Sequence, residues 1–292
     1  MAVELVKGID VSKYQTKTDW NILKQAGYKW IIIRVGYQGY GSGGFAEDPL
    51  FKRHIDDALA ADIPVGLYWI CQSITVQEAI NAAKYILAIL DKYKIPLSKI
   101  PLGVWWDNEP TTVYPKGRAD KLDKNLRTDI GLAFLDTIAS AGLVAGIYTN
   151  LQYINHELNF EQFAKYPLWL AQWNAKGPSR ECAIWQHGSI KNLPGVVGEC
   201  DVNVLYDTRL LGEVKPPIAN EKIPEGFIPY PAVVTAKNGL NVRAGAGVNF
   251  SIRGVLKYNS EIVILKESNG WGRVALRDNY YGWISLNYTK RR

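Results

Sequence analysis

Four acidic residues stand where apolar runs begin or stop. They are Asp10 in Gly8-Ile-Asp-Val-Ser12, Asp107 and Glu109 in Trp105-Trp-Asp-Asn-Glu109, and Asp201 in Cys200-Asp-Val-Asn203. Paired carboxyls suit glycosidic-bond hydrolysis, where one keeps its proton as an acid while another stays ionised. On an extended strand Asp107 and Glu109 share one face, with α-carbons about 6–7 Å apart. Asp10 or Asp201 taken alone reads as a cap or a surface charge. The Asp-x-Glu pair does not, because two carboxylates on the inner face of an apolar run serve packing badly.

Other chemistries find less support. The three histidines, His54, His156 and His187, show no HExxH or paired-ligand spacing, so neither a metal nor any other cofactor is expected. His54 lies among charges in a helical pattern and is expected at solvent. Cys71, Cys182 and Cys200 are odd in number and lack CxxC spacing, which argues against a disulfide framework. Cys71 ends an apolar strand and reads as a buried thiol rather than a nucleophile. Gly36–Gly44 is glycine-rich but lacks the phosphate-loop pattern, and is expected to be a mobile loop.

The elements that must position the acids alternate. Candidate strands are Val6–Val11, Trp30–Gly36, Pro64–Ile70, Leu102–Glu109, Leu143–Thr149, Leu168–Trp173, Ala183–His187 and Val202–Leu205. The earlier ones are apolar on both faces, as buried parallel strands are. Asp48-Pro49 signals a helix start, and Thr75-Val-Gln-Glu78 fits a capping box before a stripe through Ile80, Ala83, Ile86, Leu87 and Leu90. A third helical pattern runs over 121–141, and helical periodicity then fades. The fold class is therefore α/β: an irregular (β/α) barrel with helices mostly in its first half. A doubly wound sheet is the alternative, without a phosphate loop to support it. In a parallel barrel the strands' C-terminal ends carry the chemistry, and closure makes strands one and eight neighbours, bringing Asp10 towards Asp201.

Length and charge divide the chain. At 292 residues it suits a barrel over 1–212 and a small module over 232–292, joined by a linker over 213–231 that holds five of the 14 prolines. The module has short alternating runs between glycine-bearing turns, which fits a small all-β barrel. It carries ten Lys/Arg against three acidic residues, while the rest of the chain is close to neutral. Such a tail suits an anionic surface; nucleic acid, acidic wall polymers and anionic lipid all satisfy the charge. The N-terminus lacks a signal-peptide pattern, and no run is long and apolar enough to span a membrane. Synthesis in the cytoplasm is expected, with release by some other agent if the target lies outside.

Gly8-Ile-Asp-Val-Ser-Lys-Tyr-Gln15, Asp107-x-Glu109, Leu143–Asn150, Leu170-Ala-Gln-Trp173, Trp185-Gln186 and Asp201-Val-Asn203 follow the order seen in glycoside hydrolase family 25 lysozymes. The resemblance covers about residues 5–210. It implies a muramidase that cuts the β-1,4 bond between N-acetylmuramic acid and N-acetylglucosamine in peptidoglycan. Glu109 would be the general acid, and Asp107 would position the substrate's N-acetyl group as internal nucleophile or act as nucleophile itself. Asp10 and Asp201 would hold the network and tune Glu109, while Tyr37, Tyr68, Tyr148 and Trp173 would line the groove. Trp105-Trp106 and Pro110 depart from the usual family pattern around the acid pair. Residues 233–289 resemble a bacterial SH3 (SH3b) module through Leu240-Asn-Val-Arg-Ala-Gly245, Ser268-Asn-Gly-Trp271 and Gly282-Trp-Ile-Ser285. That implies binding to wall peptide or an anionic wall polymer, with neither nucleic acid nor membrane insertion. Leu240, Val242, Trp271 and Trp283 are expected in its core, and Tyr280, Tyr281, Arg243 and Arg277 at its surface. A phage endolysin acting at the wall after holin-type release is expected, with a bacterial autolysin, a chitinase-like enzyme or a non-catalytic wall-binding scaffold as alternatives.

Overall fold

The computed structural model describes residues 6–111, 116–211, 227–250, 252–277 and 280–292. The chain forms two compact units, one up to Glu213 and the other from Val214 on. Most of the proline-rich stretch over 213–231 lies outside the described residues.

The first unit is a closed eight-stranded barrel. Its strands are β1 (Val6–Val11), β2 (Tyr28–Gln38), β4 (Val65–Ile70), β5 (Val104–Asp107), β6 (Ala145–Asn150), β7 (Leu168–Ala171), β8 (Ile184–Ile190) and β9 (Cys200–Leu205), while β3 (Phe45–Glu47) hairpins onto β2 outside the ring. Neighbours from β1 through β8 run parallel. Strand β9 closes the ring antiparallel to both β8 and β1. That reversal explains why Asp201 stands at the start of its strand: in an antiparallel strand the N-terminal end meets the others' C-terminal ends. Asp10 and Asp201 are direct partners in the β1–β9 register.

Helices α1 (Trp20–Gln25), α2 (Phe51–Ala60), α3 (Val76–Lys92) and α4 (Lys124–Ser140) cover the first half. Thr75 caps α3, accepting from the Glu78 amide, while the Glu78 carboxylate accepts from the Ile74 amide. The Asp48-Pro49 signal is displaced. Helix α2 begins at Phe51 with no side-chain cap, because Asp48 turns inward to Arg34 and accepts from the Lys13 and Leu50 amides. His54 is buried rather than solvated, with Nε2 3.2 Å from the Ser12 carbonyl. Part of the glycine-rich segment is also ordered rather than loop: Gly36–Gln38 extend β2 and pair with β3.

Side-chain alternation builds two cores. The outer one joins barrel to helices through residues such as Ile31, Ile33, Leu67, Trp69, Trp106 and Ile147. The inner one fills the barrel with Trp30, Ile32, Leu102, Trp105, Tyr148 and Trp169. The adjacent Trp105 and Trp106 thus go to opposite faces, and a glycine makes room for each. A Cβ at Gly146 would fall 2.3 Å from the Trp105 ring, and one at Gly131 2.5 Å from the Trp106 ring. Trp105 packs edge-on to Trp169 at 5.9 Å, and Trp106 stacks on Phe163 at 6.1 Å.

The second unit is all-β, with a three-stranded and a five-stranded sheet around Ala232, Val234, Leu240, Val242, Ile264, Val274 and Ile284. Trp283 is buried as expected, whereas Trp271 is only partly so. Tyr281 is buried rather than exposed, with the Arg273 guanidinium 5.1 Å from its ring centre. Arg243 is half-buried and donates to the Phe250 carbonyl, and the side chains of Arg277 and Tyr280 lie outside the described ones.

Because Gly146 faces an indole that fills the barrel, Gly146→Ala should destabilise the first unit by about 1–3 kcal/mol through overpacking. Denaturant unfolding followed by tryptophan fluorescence measures this.

Candidate active site

The inward rows of the strands change character towards the mouth. Below lie Trp30, Trp105 and Trp169; above them β1 supplies Asp10, β2 Arg34, β4 Tyr68, β5 Asp107, β6 Tyr148, β8 Gln186 and β9 Asp201. These side chains, with Glu109, Tyr14 and Gln15, line a pocket of about 210 Å³, on the scale of one sugar ring. Glu109 lies just past the end of β5.

All four acids named from the sequence share this pocket, as do Tyr68 and Tyr148. Trp173 is 47% exposed and reaches the site by donating from its indole N–H to Gln186 Oε1 at 3.0 Å. Tyr37 stands farther out, with the Arg34 and Lys13 cations 5.8 Å and 6.0 Å from its ring centre; it is not among the pocket-lining residues.

Crowding and loss of water push every acid upward. Asp107 is buried and is held well above the usual carboxylate range, first by burial and then by the charges of Glu109 and Asp10, with Arg34 opposing. Its Oδ1 is buried and accepts no hydrogen bond among the described residues. Glu109 is exposed to the open pocket while protein surrounds it on its other sides; the partial loss of water, with Asp10's charge, pushes it up to about 7. Burial, then Asp10, Glu109 and Glu199, push Asp201 up to about 8. Asp10 rises only to about 6, because hydrogen bonds from Asn203 and Gln186 offset part of its burial. The arrangement can therefore hold a protonated carboxyl beside an ionised one near neutral pH. Among the described residues no cluster of His, Cys, Asp and Glu is arranged to hold a metal ion.

Several functional groups escaped the sequence reading. Arg34 is the buried cation of the site, with Nε donating to Asp48 Oδ2 at 2.7 Å and Nη2 standing 2.6 Å from the same oxygen. An Arg in an apolar strand facing a distant Asp was the available signal. Tyr14 is 66% exposed on the pocket wall. Tyr40, in the β2–β3 hairpin, lies close enough to Asp107 and Glu109 to feel their charge. The hairpin is braced from the other side, where the Arg118 amide donates to the Tyr40 carbonyl and its guanidinium pairs with Glu78. Gln186 and Asn203 lay within recognised motifs but carried no assigned role.

Residues 9–196 match the family described as Glycosyl hydrolases family 25, and residues 238–290 match the Bacterial SH3 domain. The autolytic lysozyme of Clostridium acetobutylicum is 22% identical over 209 residues, covering 71% of this chain; the chain spans only 58% of that relative's length. The fold resembles the CTP1L endolysin, with TM-score 0.58, 24% identity, and 71% of this chain and 70% of that one covered. It also resembles the bacterial lysozyme from Streptomyces coelicolor, with TM-score 0.58, 22% identity, and 71% and 95% covered. With the family match extending over most of the barrel and its carboxylate-lined mouth, the chain belongs to glycosyl hydrolase family 25.

Proposed function

We propose that this protein is a peptidoglycan muramidase that cleaves the β-1,4 bond between N-acetylmuramic acid and N-acetylglucosamine. One observation carries the reading: Glu109 faces an open, sugar-sized pocket and keeps its proton to about pH 7 among three further carboxylates. Glu109 donates that proton to the leaving glycosidic oxygen. Asp107 positions the substrate's N-acetyl group, whose oxygen attacks the anomeric carbon as the leaving oxygen departs; water, giving its proton to the now ionised Glu109, then opens the resulting oxazoline, and the two inversions retain configuration. Asp10 holds negative charge beside Glu109, and Asp201, which keeps its own proton to about 8, completes the network that tunes it. Tyr68 and Tyr148 shape the pocket, while Trp173 and Tyr37 offer aromatic surface farther out.

The division into a catalytic barrel over 1–212, a linker over 213–231 and a wall-binding module over 232–292 belongs to the same reading. The module's ten cations favour an anionic wall polymer or an acidic wall peptide. The likeness to a named endolysin favours synthesis in a phage-infected cell and release to the wall. The autolytic lysozyme among the relatives favours the second reading, a bacterial autolysin.

Purified Gram-positive sacculi should lose turbidity with the wild type, and mass spectrometry should find new reducing ends at N-acetylmuramic acid. Glu109→Gln should lower kcat/KM by about 10²–10⁴-fold. Reducing ends at N-acetylglucosamine, or full activity in the variant, would contradict the assignment.

Glu109 and Asp201 ionise less readily in the fold than in the unfolded chain, whose carboxyls titrate near their ordinary values. Their charge therefore costs stability as pH rises above those ordinary values, and the cost is complete above the folded values of about 7 and 8. Glu109→Gln and Asp201→Asn should accordingly raise Tm relative to wild type at pH 8 and leave it nearly unchanged at pH 4. Calorimetry at both pH values checks the sign.

A further inference from the structure

Asp10 is held by two carboxamides whose direction is not free. Gln186 Nε2 donates to Asp10 Oδ2 at 3.0 Å, and Asn203 Nδ2 donates to the same oxygen at 2.8 Å. A carboxamide can offer its NH2 to an ionised carboxyl or its oxygen to a protonated one. Here the far ends are fixed by groups that donate. Trp169 Nε1 donates to Asn203 Oδ1 at 2.8 Å, and Trp173 Nε1 to Gln186 Oε1 at 3.0 Å. The Tyr148 hydroxyl also donates to Gln186 Oε1, at 2.9 Å. An indole N–H cannot accept, so turning either amide over would set N–H against N–H in a buried site and leave both unpaired. Gln186, Asn203, Trp169 and Asp10 are all buried.

We propose that Gln186 and Asn203 are positioning residues for the reaction: oriented by the indoles of Trp173 and Trp169, they hold Asp10 as the anion beside which Glu109 keeps its proton. The inference deepens the muramidase reading and takes its catalytic meaning from it. The charged and titratable groups facing Asp10 are Tyr14 just past β1, Arg34 with Asp48 behind it from β2, Tyr68 from β4 and Asp107 with Glu109 from β5. Tyr148 from β6, and Cys200 with Asp201 from β9, complete the ring; Glu199 lies beside Asp201, and Tyr40 and Tyr153 lie near Glu109. Arg34 is the cation in this ring and is already paired with Asp48, which leaves the two carboxamides as the groups that bind Asp10 directly.

Removing one donor lets Asp10 take up a proton at higher pH. Above its raised midpoint Asp10 is ionised as before, so Glu109 still releases its proton beside the same charge. The acid limb, where Asp10 must be ionised, therefore moves up, while the alkaline limb, where Glu109 must be protonated, stays where it is. The bell narrows from its acid side, whereas a purely structural defect lowers it without moving its limbs.

The test uses the full chain as wild type, Asn203→Leu, Gln186→Leu and the conservative Trp169→Phe. Two quantities are read: kcat/KM on sacculi against pH, and the Asp10 carboxyl titration by ¹³C NMR without substrate. For the two leucine variants the Asp10 midpoint should rise by about half a pH unit or more, roughly threefold in proton affinity, with the acid limb moving up and the alkaline limb holding its place. Trp169→Phe keeps an aromatic ring against Tyr148, now 4.5 Å away, and should shift the midpoint in the same sense by less. Unmoved midpoints in the leucine variants, or profiles that fall without narrowing, would overturn the proposal. A wild-type midpoint in Trp169→Phe would overturn the orienting role of the indole. The substrate-free titration decides even if the wild type fails to cleave sacculi, an outcome that would sink the muramidase reading alone.

Discussion

The structure turns on placing four carboxyls at the mouth of a barrel whose floor is tryptophan. Like charges in a partly dry site resist joint ionisation, so protons stay on some carboxyls at pH values where solvated acids have lost them. Everything near the site manages that conflict. Arg34 supplies one buried positive charge, itself neutralised by Asp48, and carboxamides rather than cations bind Asp10. A second unpaired arginine would have relieved the crowding and drained the proton from Glu109.

The barrel meets this demand through one departure from regularity. Six neighbouring pairings in the ring are parallel, and only the closing strand β9 is reversed. The reversal lets Asp201 approach from the start of a strand and Asn203 face Asp10 from two residues further along. A parallel closing strand would have needed another crossover connection, and among the described residues the α-helices of this unit all precede the strand Ala145–Asn150. The glycine opposite Trp105 serves the same end, since a wide indole beneath the acids excludes water from below.

Much of this was legible in the sequence. Apolar runs bounded by turns located all eight barrel strands, and Asp107 and Glu109 were found because a carboxylate pair at the end of such a run has no packing use, whereas Asp10 and Asp201 took their roles from the family resemblance. The closing direction was not legible, since strand periodicity is the same whichever way a strand runs. Asp48 misled because Asp before Pro is a good local helix start, and a buried arginine outcompeted that preference. His54 misled because neighbouring charges on a helix say little about the one face that turns inward. Gln186 and Asn203 carry no charge and stand far apart in the chain, so only the fold reveals that both meet Asp10. In the second unit, alternation identified the core at Leu240, Val242 and Trp283, but placed Tyr281 on the wrong side, where an arginine covers its ring.

The account stands most directly on the proton of Glu109. Its carboxyl should be titrated by ¹³C NMR in the wild type and in Asp10→Asn. A midpoint near about 7 in the wild type, falling when Asp10 is neutralised, is what crowding requires. A midpoint near the ordinary 4.5, or one indifferent to Asp10, would mean that Glu109 is ionised when substrate arrives and that another group supplies the proton.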